Sequence, residues 1–299
     1  MFPFFDAGPQ LSIALTVLYA LLAAVSLSIR LAARGAAPSM LHHQVAAWWR
    51  IFPIVTLALL AYPFGLPALC LLVCVLAVVE LHTHYEGRYF HPGAAGILLA
   101  TIGIGVVAPT LAPPLVAIVL AIGALCYWRR PGRGALIWLI LLVTTGAMLV
   151  LATFTTLPFG EETNLAWALY LFILTALNDI AQFVSGKLFG RHKIAPGVSP
   201  NKTWQGLAGG IVISLVVSLA LGTYLRLAGP LTLAWFAFVL SLAGFAGDLM
   251  FSAAKRRLGI KDFSTLIPGH GGILDRVDSL VLTAPLLYCL LHIFEQGPT

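Results

Sequence analysis

The chain has 299 residues, of which 60% are hydrophobic and only 9% charged. A water-soluble domain carries roughly 25% charged residues, so this chain lacks the polar surface to face water all round and the soluble globular class is excluded. The formal net charge of +6 would suit nucleic acid if the basic residues shared one face, but they are dispersed among short segments between apolar runs, which excludes that reading.

A helix needs about 20 apolar residues to cross a bilayer core of about 30 Å. Hydropathy therefore predicts an all-α, polytopic integral membrane protein with about ten transmembrane helices, folded as a single membrane domain over residues 1–299. The first span, Leu11–Ala32, follows Met1-Phe-Pro-Phe-Phe-Asp6. That start lacks the basic region of a signal peptide, so the span is expected to be retained. The second and third, Arg50–Phe64 and Gly65–Leu81, are short and meet at Tyr62-Pro63-Phe64-Gly65, as a tight hairpin or a tilted, partly re-entrant pair. Ala94–Thr110 and Ala112–Trp128 meet near Pro113-Pro114, and Gly134–Phe154 follows. Polar residues are sparse up to about Thr156, so residues 1–156 read as supporting spans. Cys70, Cys74, Cys126 and Cys289 all lie in apolar runs and indicate neither a disulfide framework nor a zinc site.

Residues 157–299 hold the chemistry. The seventh span, Leu165–Ser185, carries Asn178 and Asp179 within it. It leads into Gly186-Lys-Leu-Phe-Gly190 and then Ser199-Pro200-Asn201-Lys202-Thr203. Lys202 and Thr203 precede the eighth span, Gln205–Arg226, where free N–H groups and the helix dipole would welcome a phosphate. The ninth span, Leu231–Ser252, ends in Asp248, Ser252 and Lys255 at i, i+4 and i+7, one helical face. Asp275 and Asp278, at i and i+3, open the tenth, Val277–Phe294. Carboxylates at the mouths of two neighbouring helices can converge on a hard cation such as Mg²⁺, which keeps waters and shares itself with substrate phosphates. A second, monovalent cation is left open. Lys255, Arg256, Lys261 and Arg276 alternate with these acids, as phosphoryl-type transfer requires. Between them, Pro268-Gly269-His270-Gly271-Gly272 could turn backbone N–H groups toward an anion. His270 is either a ligand or a loop-shaping hydrogen bonder.

Placing both termini outside puts every Lys and Arg except Arg226 on the inner, cytoplasmic side, in agreement with the positive-inside rule. Both polar loops then share that side.

The run Ser252-x-x-Lys255-Arg256, Lys261-Asp262, and His270-Gly-Gly-x-x-Asp275-Arg276-x-Asp278 resembles the phosphatidate cytidylyltransferase (CDP-diacylglycerol synthase) family. Ser199-Pro-Asn-Lys-Thr203 is similar to a second element of that family, and Asp179 falls where it has an acid ahead of a Gly-x-x-Phe-Gly stretch. The resemblance is sharp over about Leu171 to Ser279. It implies transfer of CMP from CTP to phosphatidic acid, giving CDP-diacylglycerol and pyrophosphate, at the surface of the lipid bilayer. It further implies Mg²⁺ on Asp248, Asp275 and Asp278, with Asp179 a further candidate. Lys202, Lys255, Arg256 and Arg276 would hold phosphates and Ser252 would orient a phosphate oxygen. Substrate contacts are expected from Asn178, Asp179, Ser199, Asn201, Thr203, Lys261, His270, Gly271 and Gly272.

The rivals are a CTP-dependent lipid kinase or a CDP-archaeol synthase-like enzyme, and a cation-coupled transporter. The last is disfavoured because the polar residues have no counterpart in the first half of the chain. A homodimer is left open.

Overall fold

The computed structural model describes residues 8–32, 40–85, 87, 90–264, 266 and 271–296. In hydrocarbon a backbone has no water to bond, so apolar runs close their own hydrogen bonds as helices. The chain runs through α1 (Pro9–Ala32), α2 (Met40–Leu60), α3 (Gly65–His82), α4 (Phe90–Val107), α5 (Ala112–Arg129) and α6 (Arg133–Ala152). It continues through α7 (Glu161–Phe189), a small hairpin of β1 (Lys193–Ala195) and β2 (Ser199–Thr203), α8 (Trp204–Tyr224) and α9 (Pro230–Leu258). It ends in α10 (Leu274–Val277) and α11 (Leu280–Gln296). Among the described residues, nine segments are helical, long and apolar enough to cross a membrane, with a shorter apolar helix over Trp48–Leu60. These match the expected spans one for one, so the chain is an all-α polytopic membrane protein.

Two boundaries differ in an informative way. α2 starts at Met40, well before the apolar stretch. Met, Leu, Gln and Ala are good helix formers, so helix continues where hydropathy has stopped. The tenth span is interrupted: α10 ends at Val277 and α11 begins at Leu280, leaving Asp278 and Ser279 at the break.

α6 is the most enclosed helix and α4 and α5 the least, so α4 and α5 present apolar side chains such as Val106, Val107 and Ile118 outward, as a lipid-facing rim would. The core of the bundle holds Phe154, Trp167, Tyr170 and Phe251, all fully buried. One polar chain that enters the core is paired throughout, as burial favours. The Tyr170 hydroxyl lies 2.6 Å from Ser218 Oγ, which donates to the Leu233 carbonyl at 2.8 Å.

α7 and α9 have 29 residues each, or about 44 Å of helix against a core of about 30 Å. Asp179 precedes the end of α7 at Phe189, and Asp248 precedes the end of α9 at Leu258, by the same number of residues, about 15 Å of helix in each case. The two acids therefore occupy equivalent depths along their helices. Small residues let the helices approach closely there. A Cβ on Gly206 of α8 would come within 2.7 Å of the Gln182 carbonyl of α7, and one on Gly247 of α9 would collide with the Asp278 carbonyl.

Candidate active site

The segment between α7 and α8, expected as an open loop, is an antiparallel hairpin pairing Lys193 with Thr203 and Ala195 with Ser199. Ala195-Pro196-Gly197-Val198 forms the turn, closed by Val198 N–H to the Ala195 carbonyl at 3.1 Å. Pro-Gly is the turn signal. The hairpin is joined to α8 through Thr203, whose hydroxyl caps the helix by accepting from Gly206 N–H at 3.1 Å. Gln205 Oε1 accepts from Arg191 and His192 N–H at 3.1 and 3.2 Å. Ser199 is half-buried and Asn201 exposed on β2. Held this way, Lys202 points its ammonium at 2.5 Å from Asp248 Oδ2 on α9 and 3.3 Å from Gln182 Oε1 on α7. The same ammonium sits 5.2 Å over the Phe245 ring.

Beside this lysine pair, three acids from three elements gather. Asp278, at the break after α10, lies within electrostatic range of Asp248 and Asp179, and Asp179 is also acted on by Lys202 and Arg276. Ser279 N–H donates to Asp278 Oδ1 at 2.9 Å, and Ser252 Oγ donates to Asp248 Oδ1 at 3.2 Å. Collecting acids at membrane depth is costly without compensating charge, and Lys202, Lys255 and Arg276 supply it. Not all polar atoms are satisfied. Asp179 Oδ1, Gln182 Nε2 and Ser279 Oγ are buried without a hydrogen-bond partner among the described residues. The Ser279 hydroxyl lies near Asp179, but the geometry falls short of a hydrogen bond. Unmet polar atoms of this kind cost free energy unless something else binds there.

Asp275 stands in a different environment. Its Oδ1 accepts from Lys255 Nζ at 2.6 Å, and its Oδ2 accepts from Phe263 and Gly272 N–H at 3.1 and 2.9 Å. Both oxygens are thus committed, and they close the turn in which Gly271 takes φ +77°. The structure brings Asp248 and Asp278 together with Asp179, and ties Asp275 to Lys255. Arg256 braces the hairpin turn, with Nε donating to the Val198 carbonyl at 3.2 Å. Lys261 and Arg276 are exposed at the surface of this region. Asn178 is buried beside it. Its Oδ1 accepts from Ser241 and Ser214 at 2.6 and 3.3 Å, joining α7, α8 and α9. His270 lies outside the described residues.

Sequence reasoning missed Gln182, Ser279 and Glu80. Glu80 reaches from α3 to accept from Ile273 N–H at 2.6 Å, Leu274 N–H at 3.0 Å and Ser264 Oγ at 2.7 Å. The available signal was a single acid in an apolar span, which is costly and rarely idle.

Among the described residues no group of three or more His, Cys, Asp or Glu side chains is arranged to hold a metal ion by itself. The acids near Lys202 form instead an open set of hard oxygens with one orphaned carboxylate oxygen. That fits Mg²⁺, which prefers a few protein carboxylates plus water and phosphate oxygens to a closed protein cage.

Residues 42–294 match the model of the cytidylyltransferase family, and the chain belongs to that family. An uncharacterized protein of Escherichia coli, YnbB, is 41% identical over 159 residues, 52% of this chain and 47% of that protein. A phosphatidate cytidylyltransferase of Staphylococcus aureus is 43% identical over 129 residues, 43% of this chain and 50% of the relative. The phosphatidate cytidylyltransferase of Staphylococcus saprophyticus is 41% identical over the same length. The chain spans about half the length of these relatives.

Proposed function

We propose that this protein transfers CMP from CTP to phosphatidic acid, releasing pyrophosphate and CDP-diacylglycerol. The observation that carries the reading is the gathering of Asp179, Asp248 and Asp278 from three elements, with Lys202 paired to Asp248 and acting on Asp179, and Lys255 acting on Asp278. Relatives named phosphatidate cytidylyltransferase support it over the part of the chain they match.

In the reaction, a phosphate oxygen of the lipid attacks the α-phosphorus of CTP. The bond from that phosphorus to the bridging oxygen breaks, and pyrophosphate leaves with the electron pair. The nucleophile is already an anion, so no strong base is needed. Positioning and charge neutralisation carry the acceleration. Asp248 and Asp278 would hold Mg²⁺, with Asp179 beside them; Asp275 would join only by releasing Lys255. A magnesium ion held there would supply positive charge against the phosphates of the substrates. Lys202, on β2 beside Asp248, would offer its ammonium to the triphosphate. Arg276 and Lys255 neutralise the lipid phosphate, Arg256 keeps the hairpin against α9, and Ser252 orients an oxygen through its position beside Asp248. The distribution of Lys and Arg supports a site on the cytoplasmic side with both termini outside, where a soluble nucleotide would meet a lipid headgroup.

Purified protein in detergent, given phosphatidic acid, Mg²⁺ and CTP labelled in its α-phosphate, should carry the label into a lipid and release unlabelled pyrophosphate. Release of labelled CDP with a phosphorylated lipid would identify a kinase instead. No lipid-borne label under any condition would sink the reading.

A further inference from the structure

Glu80 is the one acid of α3 and is 2% exposed. A buried carboxylate is expensive, and among the described residues its oxygens accept from the segment that links α9 to α10 and from the first residue of α10. Oε1 accepts from Ser264 Oγ and Ile273 N–H, and Oε2 accepts from Leu274 N–H. One turn further along the chain, His84 Nε2 donates to the Phe263 carbonyl at 2.8 Å. The two ends of the segment, Phe263–Ser264 and Ile273–Leu274, are therefore fastened to the same end of α3. Gly272 makes this possible, because a Cβ there would lie 2.5 Å from both Glu80 oxygens.

Leu274 opens α10, and the first N–H groups of a helix have no partner inside it. An anion at that end satisfies them and favours the helix dipole. Here the anion comes from nearly 200 residues upstream rather than from a neighbouring cap. α10 is only four residues long, so its orientation is set by what grips its ends. On the α9 side that grip is Lys255 on Asp275; on the α3 side it is Glu80. Asp278 follows at the end of this short helix, beside Asp248 and Asp179.

We infer that Glu80 is a positioning residue for the cytidylyl transfer proposed above, fixing α10 so that Asp278 and Arg276 face the acids and the lysine of α7, α9 and β2. It touches no substrate itself. The inference rests on that proposed reaction for its catalytic meaning, while the clasp is tested without it.

Glu80→Gln keeps the shape of the side chain and replaces one acceptor oxygen by a donor. In full-length protein in detergent, amide hydrogen exchange over residues 273–278 should accelerate by about tenfold or more, with exchange in α7 and α9 unchanged. The thermal midpoint should stay near that of the wild type. Turnover should fall about tenfold or more, since small misplacements near reacting groups are costly. The Mg²⁺ concentration for half-maximal rate should rise severalfold, while KM for CTP at saturating Mg²⁺ changes little. Glu80→Asp, which keeps the carboxylate, should recover part of the Mg²⁺ shift. Normal turnover and Mg²⁺ dependence in Glu80→Gln would overturn the inference. So would a loss that merely tracks the folded fraction with the Mg²⁺ dependence unchanged. A wild-type protein that makes no liponucleotide would end the proposed reaction rather than this inference. The exchange measurement then decides: unchanged protection at 273–278 rejects the clasp, and acceleration confined there upholds it.

Discussion

Lys202 and Lys255 each hold a carboxylate at about hydrogen-bond length, and the two pairs differ in what surrounds them. Lys202 faces Asp248 beside unmet polar atoms on Asp179, Gln182 and Ser279. Lys255 faces an Asp275 whose side chain is only 6% exposed and already satisfied by two backbone N–H groups. Asp278→Asn removes one negative charge from the first group while preserving size. It should lower kcat by about 10²–10³-fold with membrane insertion intact; wild-type rates would remove the Mg²⁺ role given to that residue. Lys202→Met leaves Asp248 without its cation, so both a raised KM for CTP and a lowered kcat are expected, read from initial rates across CTP concentrations. At this scale the sequence was partly legible. Asp248 and Asp278 stand out because each acid adjoins an apolar run. The separate environment of Asp275 does not, since the i, i+3 relation says nothing about a helix that ends after four residues. The Asn178 side chain lay beside Asp179 in the sequence but turns to a different face, into the serines of α8 and α9.

Elements meet at this site only because small residues permit it. Gly247 packs on the backbone of Asp278, so Gly247→Val should drive α9 from α10. Overpacking of this kind costs roughly 1–3 kcal/mol; the variant should lose both thermal stability and turnover, whereas Gly229→Ala, at a position with open space, should retain both. Asn178→Leu separates a packing role from a substrate contact. It strands the Ser214 and Ser241 hydroxyls, at about 1–3 kcal/mol for a buried unsatisfied group, and should lower the thermal midpoint while leaving KM for CTP unchanged. An altered KM with normal stability would return Asn178 to the substrate. The spans themselves could be read from hydropathy, because in hydrocarbon the helix is the local answer for an apolar run. The β1–β2 hairpin could not be read so easily. Its strands of three and five residues carry no clear alternation, and only Pro196-Gly197 marks the turn.

Across the whole molecule, both basic segments of residues 157–299 flank one end of α7 and α9. A cysteine at Lys261 should react with a membrane-impermeant thiol reagent from the cytoplasmic face of oriented vesicles. One at Arg226 should react from the opposite face; labelling of both from one side would break the proposed topology, and exchanged sides would reverse it. The division of labour along the chain was the least legible feature. Residues 1–156 looked like generic anchoring spans, because an acid and its partner nearly 200 positions apart leave no local pattern. Yet the carboxylate of α3 caps the short helix that ends beside Asp278. A fragment beginning at α7 would keep the recognisable motifs and still arrive with its last acidic element untethered. A hybrid built by grafting those motifs onto foreign upstream spans would bring Gly272 with it and would still have to find an acid at the same height in its new partner spans.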